Sequence, residues 1–259
     1  MLEELFKKYW IEYKSHAFFL GFFCVFIGTV FACFIMPRYV GIMSVAFTTL
    51  ILTPSLQKLI VLEENKEIRE QKFSFPQLLA DHSELFKIYF FLFMGIFAAY
   101  VLLGAILPEQ ATQTYFGEQL QMTGILGAAT QSSIGFKAIL LNNISVLITC
   151  FVLSFFYGAG SILYLTLNAS AWGIFFGYVF SSSSVNISTF LKEILLILPH
   201  TLIEALSYIS IIIAGAVLSA GVIREKLGTK KFNHVLTDAL IFFCFAVVVI
   251  VVAAFVEVI

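Results

Sequence analysis

The chain has 259 residues, of which 60% are hydrophobic and only 12% are charged. Soluble domains have about 45–50% apolar and about 25% charged residues, so this composition excludes an ordinary soluble protein and predicts an all-α polytopic membrane helix bundle. The net charge of -1 argues against a nucleic-acid partner, because phosphate binding requires a basic surface.

Seven uncharged stretches are long enough to cross the hydrocarbon core of a bilayer, which takes about 17–25 residues. They are Ala17–Met36, Tyr39–Gln57, Ile88–Leu107, Ala138–Tyr157, Gly160–Ser183, Ala205–Ile223 and Ala239–Val256. The first two predict a helical hairpin within residues 1–60, and the other five belong to a helical core at residues 85–259. The lipid bilayer is therefore the first predicted partner.

Residues 61–84 connect the hairpin to the core. Charges of both signs recur three and four residues apart in EENKEIREQK, Glu63–Lys72, a pattern typical of a solvated helix. Pro76–Lys87 mixes leucines with polar residues, which predicts an amphipathic helix along the membrane surface. We therefore expect a charged and amphipathic cytoplasmic connector.

Residues 108–133 form a long connection after the third span. This loop is rich in Gln and Thr and contains no Lys or Arg. Loops of this length inside a compact domain are usually functional or disordered. Six apolar residues could share one helical face that rests on the membrane or on a protein partner. They are Tyr115, Phe116, Leu120, Met122, Ile125 and Leu126.

A shorter apolar run, Ile194–Pro199, precedes the sixth span. Six residues cannot cross the hydrocarbon, and a proline removes a backbone donor and disfavours continuation of a helix. We therefore predict a short re-entrant or interfacial helix before the sixth span.

The Lys and Arg residues predict the orientation, because cytoplasmic loops carry an excess of basic residues. A cytoplasmic N-terminus places twelve basic residues inside and leaves only Arg38, Lys137 and Lys192 outside. The sequence thus predicts a multi-pass cell-membrane protein with a cytoplasmic N-terminus, an external C-terminus and an external 108–133 loop.

Five polar residues within or beside the spans form a candidate polar cluster: Asn142, Asn143, Asn168, His200 and Glu204. His200 and Glu204 are four residues apart and share a helix face. With the predicted topology, all five converge in the outer half of the bundle. Ionisable groups inside a membrane are costly and indicate function, but a structural polar cluster that holds helices together explains the pattern equally well.

A metalloenzyme is disfavoured. His200 and Glu204 are spaced as His-x-x-x-Glu, and the zinc-binding HExxH pattern is absent. The other histidines, His16, His82 and His234, fall at the predicted cytoplasmic edge, so three ligands do not converge at one depth. The chain also lacks a GxSxG nucleophile sequence and a phosphate-binding glycine loop. We predict no metal site, no cofactor and no catalytic residue.

Small residues mark positions where helices approach closely. Gly173 and Gly177 form a GxxxG motif, Gly215 lies in the sixth span, Gly158 precedes the fifth span and Gly160 begins it. Such residues allow close helix packing. Packing within one chain is favoured over a dedicated dimer face, and a homo-oligomer stays open.

Two segments, LLNNISVLITCFVLSFFYGAGSILYLTLNASAWGIFFGY at Leu140–Tyr178 and LPHTLIEALSYISIIIAGA at Leu198–Ala216, resemble the stage II sporulation protein M family. The family pairs asparagines at one helix head, places glycines in the next turn, and then has a mid-helix asparagine and a Pro-His with a downstream glutamate. The matching positions are Asn142, Asn143, Gly158, Gly160, Asn168, Pro199, His200 and Glu204. Ala169 and Thr201 stand where the family commonly has glycine.

The resemblance implies a helical membrane protein without catalysis of its own. In endospore formers the family member looks like a membrane anchor that assembles with peptidoglycan-degrading proteins, and relatives also occur in organisms that do not sporulate. We therefore predict an integral membrane scaffold or assembly factor that recruits a partner through the external 108–133 loop. The alternative is a transporter or channel that uses the polar cluster, because a helix broken at Pro199 is similar to discontinuous transporter helices. An intramembrane enzyme ranks third.

Overall fold

A computed structural model describes residues 14–64, 82–123, 136–157, 161–181, 187–226 and 228–258. Within these ranges the regular structure is helical and contains no strand. The helices are α1 Lys14–Ile35, α2 Val40–Glu64, α3 Ser83–Ile106, α4 Glu109–Met122, α5 Phe136–Tyr157, α6 Ile162–Ser181, α7 Ile187–Arg224 and α8 Lys230–Val258. The all-α fold predicted from composition is confirmed.

Every helix in the described ranges except α4 is long and apolar enough to cross a membrane. The prediction of seven spans is therefore confirmed, and the chain is a multi-pass membrane protein. Some helices begin earlier than the apolar stretches suggested. The last begins at Lys230 rather than Ala239, because the Thr229 hydroxyl accepts a hydrogen bond from the Phe232 backbone N–H at 3.2 Å and caps the helix there.

The most deeply buried spans are α6 and α7. On α6, Gly173 and Gly177 face α3: a Cβ atom on Gly173 would lie 2.7 Å from the Tyr100 Cβ atom, and one on Gly177 would lie 2.7 Å from the Ala105 backbone nitrogen. On α7, a Cβ atom on Gly215 would lie 2.6 Å from the Ser154 Cβ atom of α5. These three glycines therefore serve packing within the chain. Gly158 and Gly160 lie outside the described residues.

The N-terminal hairpin of α1 and α2 packs against the rest of the bundle. The α1 helix contacts α3, and α2 contacts α4, α6 and α7. The buried hydroxyls of Ser44 on α2 and Tyr100 on α3 are 3.0 Å apart, and the Thr48 hydroxyl donates to the Cys24 carbonyl at 3.4 Å. Polar contacts thus join the hairpin to α3 and its two helices to each other.

The first part of the 108–133 connection is helix α4, which lies on the bundle. Phe116 and Leu120 are fully buried, and the Phe116 ring is 6.3 Å from the Tyr100 ring in an edge-to-face arrangement. Tyr115 and Met122 are exposed. The prediction of one apolar face for membrane or partner is therefore wrong for Phe116 and Leu120, which pack inside the chain. Ile125 and Leu126 lie outside the described residues.

The predicted short helix at Ile194–Pro199 is not a separate element. It belongs to α7, which continues through Pro199 to Arg224. A proline inside a helix removes one backbone hydrogen bond, and packing of the following residues can compensate for it. With 38 residues, α7 is about 57 Å long at 1.5 Å per residue, well beyond the roughly 30 Å of a hydrocarbon core.

Contacts between helix ends define one face of the bundle, the α4 face. The Tyr178 hydroxyl near the end of α6 donates to Glu109 at the start of α4 at 2.7 Å. Gly41 at the start of α2 lies against Gln119 of α4. The Ser181 hydroxyl donates to the Gly104 carbonyl near the end of α3 at 3.3 Å. The start of α2 and the ends of α3 and α6 therefore meet on this face. This is the arrangement expected when consecutive spans run in opposite directions.

Candidate functional site

The Glu204 carboxylate of α7 joins three helices. The Asn143 Nδ2 atom of α5 donates to Glu204 Oε1 at 2.7 Å, and the Asn168 Nδ2 atom of α6 donates to Glu204 Oε2 at 3.5 Å. Asn143 and Glu204 are 6% and 5% exposed. A buried carboxylate is costly unless donors surround it, so these amides stabilise the charge and hold α5 and α6 on α7.

The facing sides of α6 and α7 make two side-chain contacts. On α6, Asn168 and Trp172 are four residues apart, and on α7, His200 and Glu204 have the same spacing. Asn168 pairs with Glu204, while the Trp172 and His200 rings lie 5.1 Å apart, edge to face. Residues four apart share one helix face, which is why both contacts form. Trp172 was not among the predicted site residues, although its spacing from Asn168 pointed to it.

His200 is 4% exposed and lies directly after Pro199. Its imidazole forms a hydrogen bond with the backbone of Leu196, one helical turn earlier. Among the described residues, its Nε2 atom is buried without a hydrogen-bond partner. Because the carbonyl of Leu196 is an acceptor, the bonded ring nitrogen carries a proton.

Asn142 lies at the edge of the cluster. Its side chain is exposed and donates from Nδ2 to the Asn143 Oδ1 atom at 3.4 Å. Asn142 thus contacts the cluster through Asn143 and makes no described hydrogen bond to Glu204.

The cluster lies in the interior of the bundle. Asn143 is about 10 Å along α5 from its first residue, and Asn168 is about 9 Å along α6 from its first residue, at 1.5 Å per residue. Because consecutive spans run in opposite directions, these distances are counted from opposite faces. Both amides reach Glu204, so α5, α6 and α7 meet at this cluster, and its position in the outer half of the bundle stays a prediction.

Two further hydrogen bonds hold α7 in place on the C-terminal side of Glu204. The Ser207 hydroxyl donates to the Ala246 carbonyl of α8 at 2.7 Å, and the Ser154 hydroxyl of α5 donates to the Ile212 carbonyl at 2.6 Å. Interhelical hydrogen bonds in membranes contribute about 0.6–2 kcal/mol each. Together they hold α7 against α5 and α8.

The polar cluster combines hydrogen-bond donors and acceptors. It contains one carboxylate, one imidazole and three amides, and in the described ranges no three His, Cys, Asp or Glu residues are grouped as metal ligands. The hydrogen bonds described in the cluster join α5, α6 and α7.

A second candidate surface is the outward side of α4. Its inward residues Thr112, Phe116, Gln119 and Leu120 are buried. The exposed residues are Glu109, Gln110, Gln113, Thr114, Tyr115, Glu118, Gln121 and Met122. Gln113 Nε2 also donates to the Tyr178 hydroxyl at 2.8 Å, which ties the exposed side to α6. The result is a polar, acidic surface on a firmly docked helix.

In a comparison with known families, the family model described as Stage II sporulation protein M matches residues 88–259. No curated protein and no solved structure matches the chain. The matched segment begins in α3 and includes the whole polar cluster and α4. The α1–α2 hairpin precedes it.

Proposed function

Because the chain belongs to the stage II sporulation protein M family, we propose that it is an integral membrane scaffold that recruits a protein partner. The observation that carries the proposal is the amphipathic docking of α4. Phe116 and Leu120 are buried in the bundle, while a row of mostly polar, uncharged and acidic side chains stays exposed. Such a helix offers a preformed surface, which lowers the entropic cost of binding.

The polar cluster supports the scaffold role because its hydrogen bonds hold helices in fixed positions. Glu204 accepts hydrogen bonds from α5 and α6 on its two oxygens, and the α6 glycines bring α3 close. A bundle fixed in this way holds α4 in a constant position relative to the membrane. The alternative, a transporter or channel, depends on the same residues. Because their hydrogen bonds hold three helices together, we favour the scaffold.

We assign the α4 face to the external side of the cell membrane, with the N-terminus in the cytoplasm and the C-terminus outside. The support is the distribution of Lys and Arg, of which only Arg38, Lys137 and Lys192 fall on the α4 side. The partner is then a protein with an external domain, and residues 124–133 adjoin the same surface in the sequence.

Charge-changing variants of α4 test this proposal by co-purification from native membranes. Glu118 and Gln121 are exposed, so Glu118→Lys and Gln121→Lys together change the surface without altering packing. We expect the variant to reach wild-type levels and to lose the partner that co-purifies with the wild-type protein. The matched control is Lys230→Glu with Lys231→Glu, on exposed residues of α8 at the opposite end.

The control variant is expected to keep the same partner. An α4 variant that retains all its co-purifying proteins would overturn the proposed recruiting surface. Loss of the partner in both variants would indicate a general charge effect and would also count against it.

A further inference from the structure

The outward side of α5 carries polar side chains. This helix is the least buried of the seven spans and packs on α7 and α8. Asn142 and Ser145 are exposed on it and Thr149 is partly exposed, between the exposed apolar residues Leu141 and Ile148. The exposed residues of α1, by contrast, are mainly phenylalanine, isoleucine and valine, which suit contact with lipid. The outward side of α5 therefore differs from an ordinary lipid-facing surface.

The polar residues of this side lie within the depth of the hydrocarbon. With 22 residues, α5 is about 33 Å long, which matches the roughly 30 Å of a hydrocarbon core. Asn142 is about 9 Å and Ser145 about 13.5 Å along the helix from its first residue. A polar side chain that faces lipid chains at such depths is costly, and polar residues there commonly join helices.

Asn142 has hydrogen-bonding capacity to spare. Its Nδ2 atom donates to Asn143 Oδ1 at 3.4 Å, which leaves its own Oδ1 atom and its second N–H without a partner among the described residues. The Thr149 hydroxyl, in contrast, donates to the Ser145 carbonyl of the same helix at 2.8 Å. The Asn142 amide therefore offers one acceptor and one donor to a neighbour outside the bundle.

An identical amide matches that offer. Two copies of one chain cross the membrane with the same topology, so their α5 helices run parallel when a two-fold axis relates them. Such an interface places the same residue of both copies face to face. An asparagine can donate to and accept from its own counterpart, and asparagine pairs of this kind fix the register of parallel coiled coils.

The spacing of the outward residues agrees with helix pairing. Asn142 and Thr149 are seven residues apart, as are Leu141 and Ile148. A seven-residue repeat keeps one seam of a helix against a partner helix in a left-handed pair, which is the commonest crossing in membrane bundles. The outward side of α5 thus combines a self-pairing amide with the repeat that a second α5 helix requires.

We infer that two copies of this chain form a parallel dimer through the outward sides of their α5 helices, with reciprocal hydrogen bonds between the two Asn142 amides. This interface goes beyond the scaffold function. Its tests read out self-association rather than capture of another protein, so either proposal can fail alone.

Disulfide cross-linking in native membranes tests the interface. The exposed cysteines Cys33 and Cys244 are first replaced by alanine in the full chain. Ser145→Cys is then compared with Ile27→Cys, a control at a 48% exposed position in the interior of α1. With copper phenanthroline as oxidant, we expect a covalent dimer from Ser145→Cys and none above the parent from Ile27→Cys. Equal dimer formation at both positions, none at Ser145→Cys, or an adduct with another protein alone would overturn the inference.

A second experiment tests the role of Asn142. Full chains that carry donor or acceptor dyes are reconstituted in liposomes, and energy transfer is followed as lipid dilutes the protein. The Asn142 side chain is exposed, so Asn142→Leu leaves the packing within one chain unchanged. We expect it to weaken self-association at least about tenfold, because both hydrogen bonds across the interface are lost.

The matched control is Asn142→Gln, which keeps an amide that can pair with its own counterpart. It should restore most of the self-association that Asn142→Leu loses. Energy transfer that Asn142→Leu leaves unchanged would refute the assigned contact, and wild-type chains that show no energy transfer at any dilution would refute the dimer.

Discussion

Glu204 of α7 and Asn143 of α5 are 61 residues apart in the chain and joined by a buried hydrogen bond of 2.7 Å. The bond links a helix of the bundle centre to a more peripheral one. Because the carboxylate also accepts from Asn168, a change at Asn143 affects the packing of three helices.

Replacing Asn143 with leucine removes the shorter of these hydrogen bonds. We expect Asn143→Leu to lower the free energy of unfolding by about 1–2 kcal/mol, measured by thermal unfolding in detergent micelles. The matched control is Asn142→Leu, whose side chain is exposed and should change stability by less than about 0.5 kcal/mol. Equal effects of the two variants would contradict the role given to Asn143.

Gly177 is expected to tolerate no larger side chain, because α3 lies directly against it. A Cβ atom there would lie 2.8 Å from the Gly104 Cα atom, so Gly177→Leu must force α3 and α6 apart. We predict a loss of about 1–3 kcal/mol or failure to accumulate in the membrane.

The matched control for that variant is Gly117→Ala. No atom lies within 4 Å of a Cβ atom built on Gly117, and alanine is the better helix former by roughly 0.5–1 kcal/mol. This variant should be neutral or stabilising. A tolerated Gly177→Leu would show that α3 and α6 are not in close contact.

Phe116 is predicted to be the main anchor of α4. It is 1% exposed, whereas the neighbouring Tyr115 is 42% exposed. Phe116→Ala should cost about 3–5 kcal/mol of local packing and make α4 susceptible to protease in reconstituted vesicles. Tyr115→Ala should leave cleavage unchanged. Similar cleavage rates in the two variants would mean that α4 is not docked through Phe116.

Much of the fold follows from the sequence because hydrocarbon permits few solutions. Uncharged stretches of sufficient length must be helices in a membrane, which fixed the number of spans. The boundaries were less accurate, because a helix such as α8 continues into polar residues when Thr229 caps it. Pro199 predicts a break, whereas α7 continues through it. The effect of a proline depends on the packing around it, here that of His200 and Glu204, which the sequence does not show.

The polar residues of the candidate site could be selected because they are rare in apolar spans, and their spacing correctly indicates which share a helix face. Which helices face one another is a tertiary property. The pairing of Trp172 with His200 and the burial of Phe116 by Tyr100 both depend on it.

We propose that the exposed side of α4 meets a partner protein outside the cell. Site-specific photo-crosslinking in native membranes tests it most directly, with the crosslinking residue at Thr114 or Glu118 and a control at Lys231, all three exposed. We predict that the two α4 positions capture the same externally located protein and that the Lys231 position does not. Adducts at Thr114 and Glu118 that contain only lipid, or only this chain, would contradict the claim.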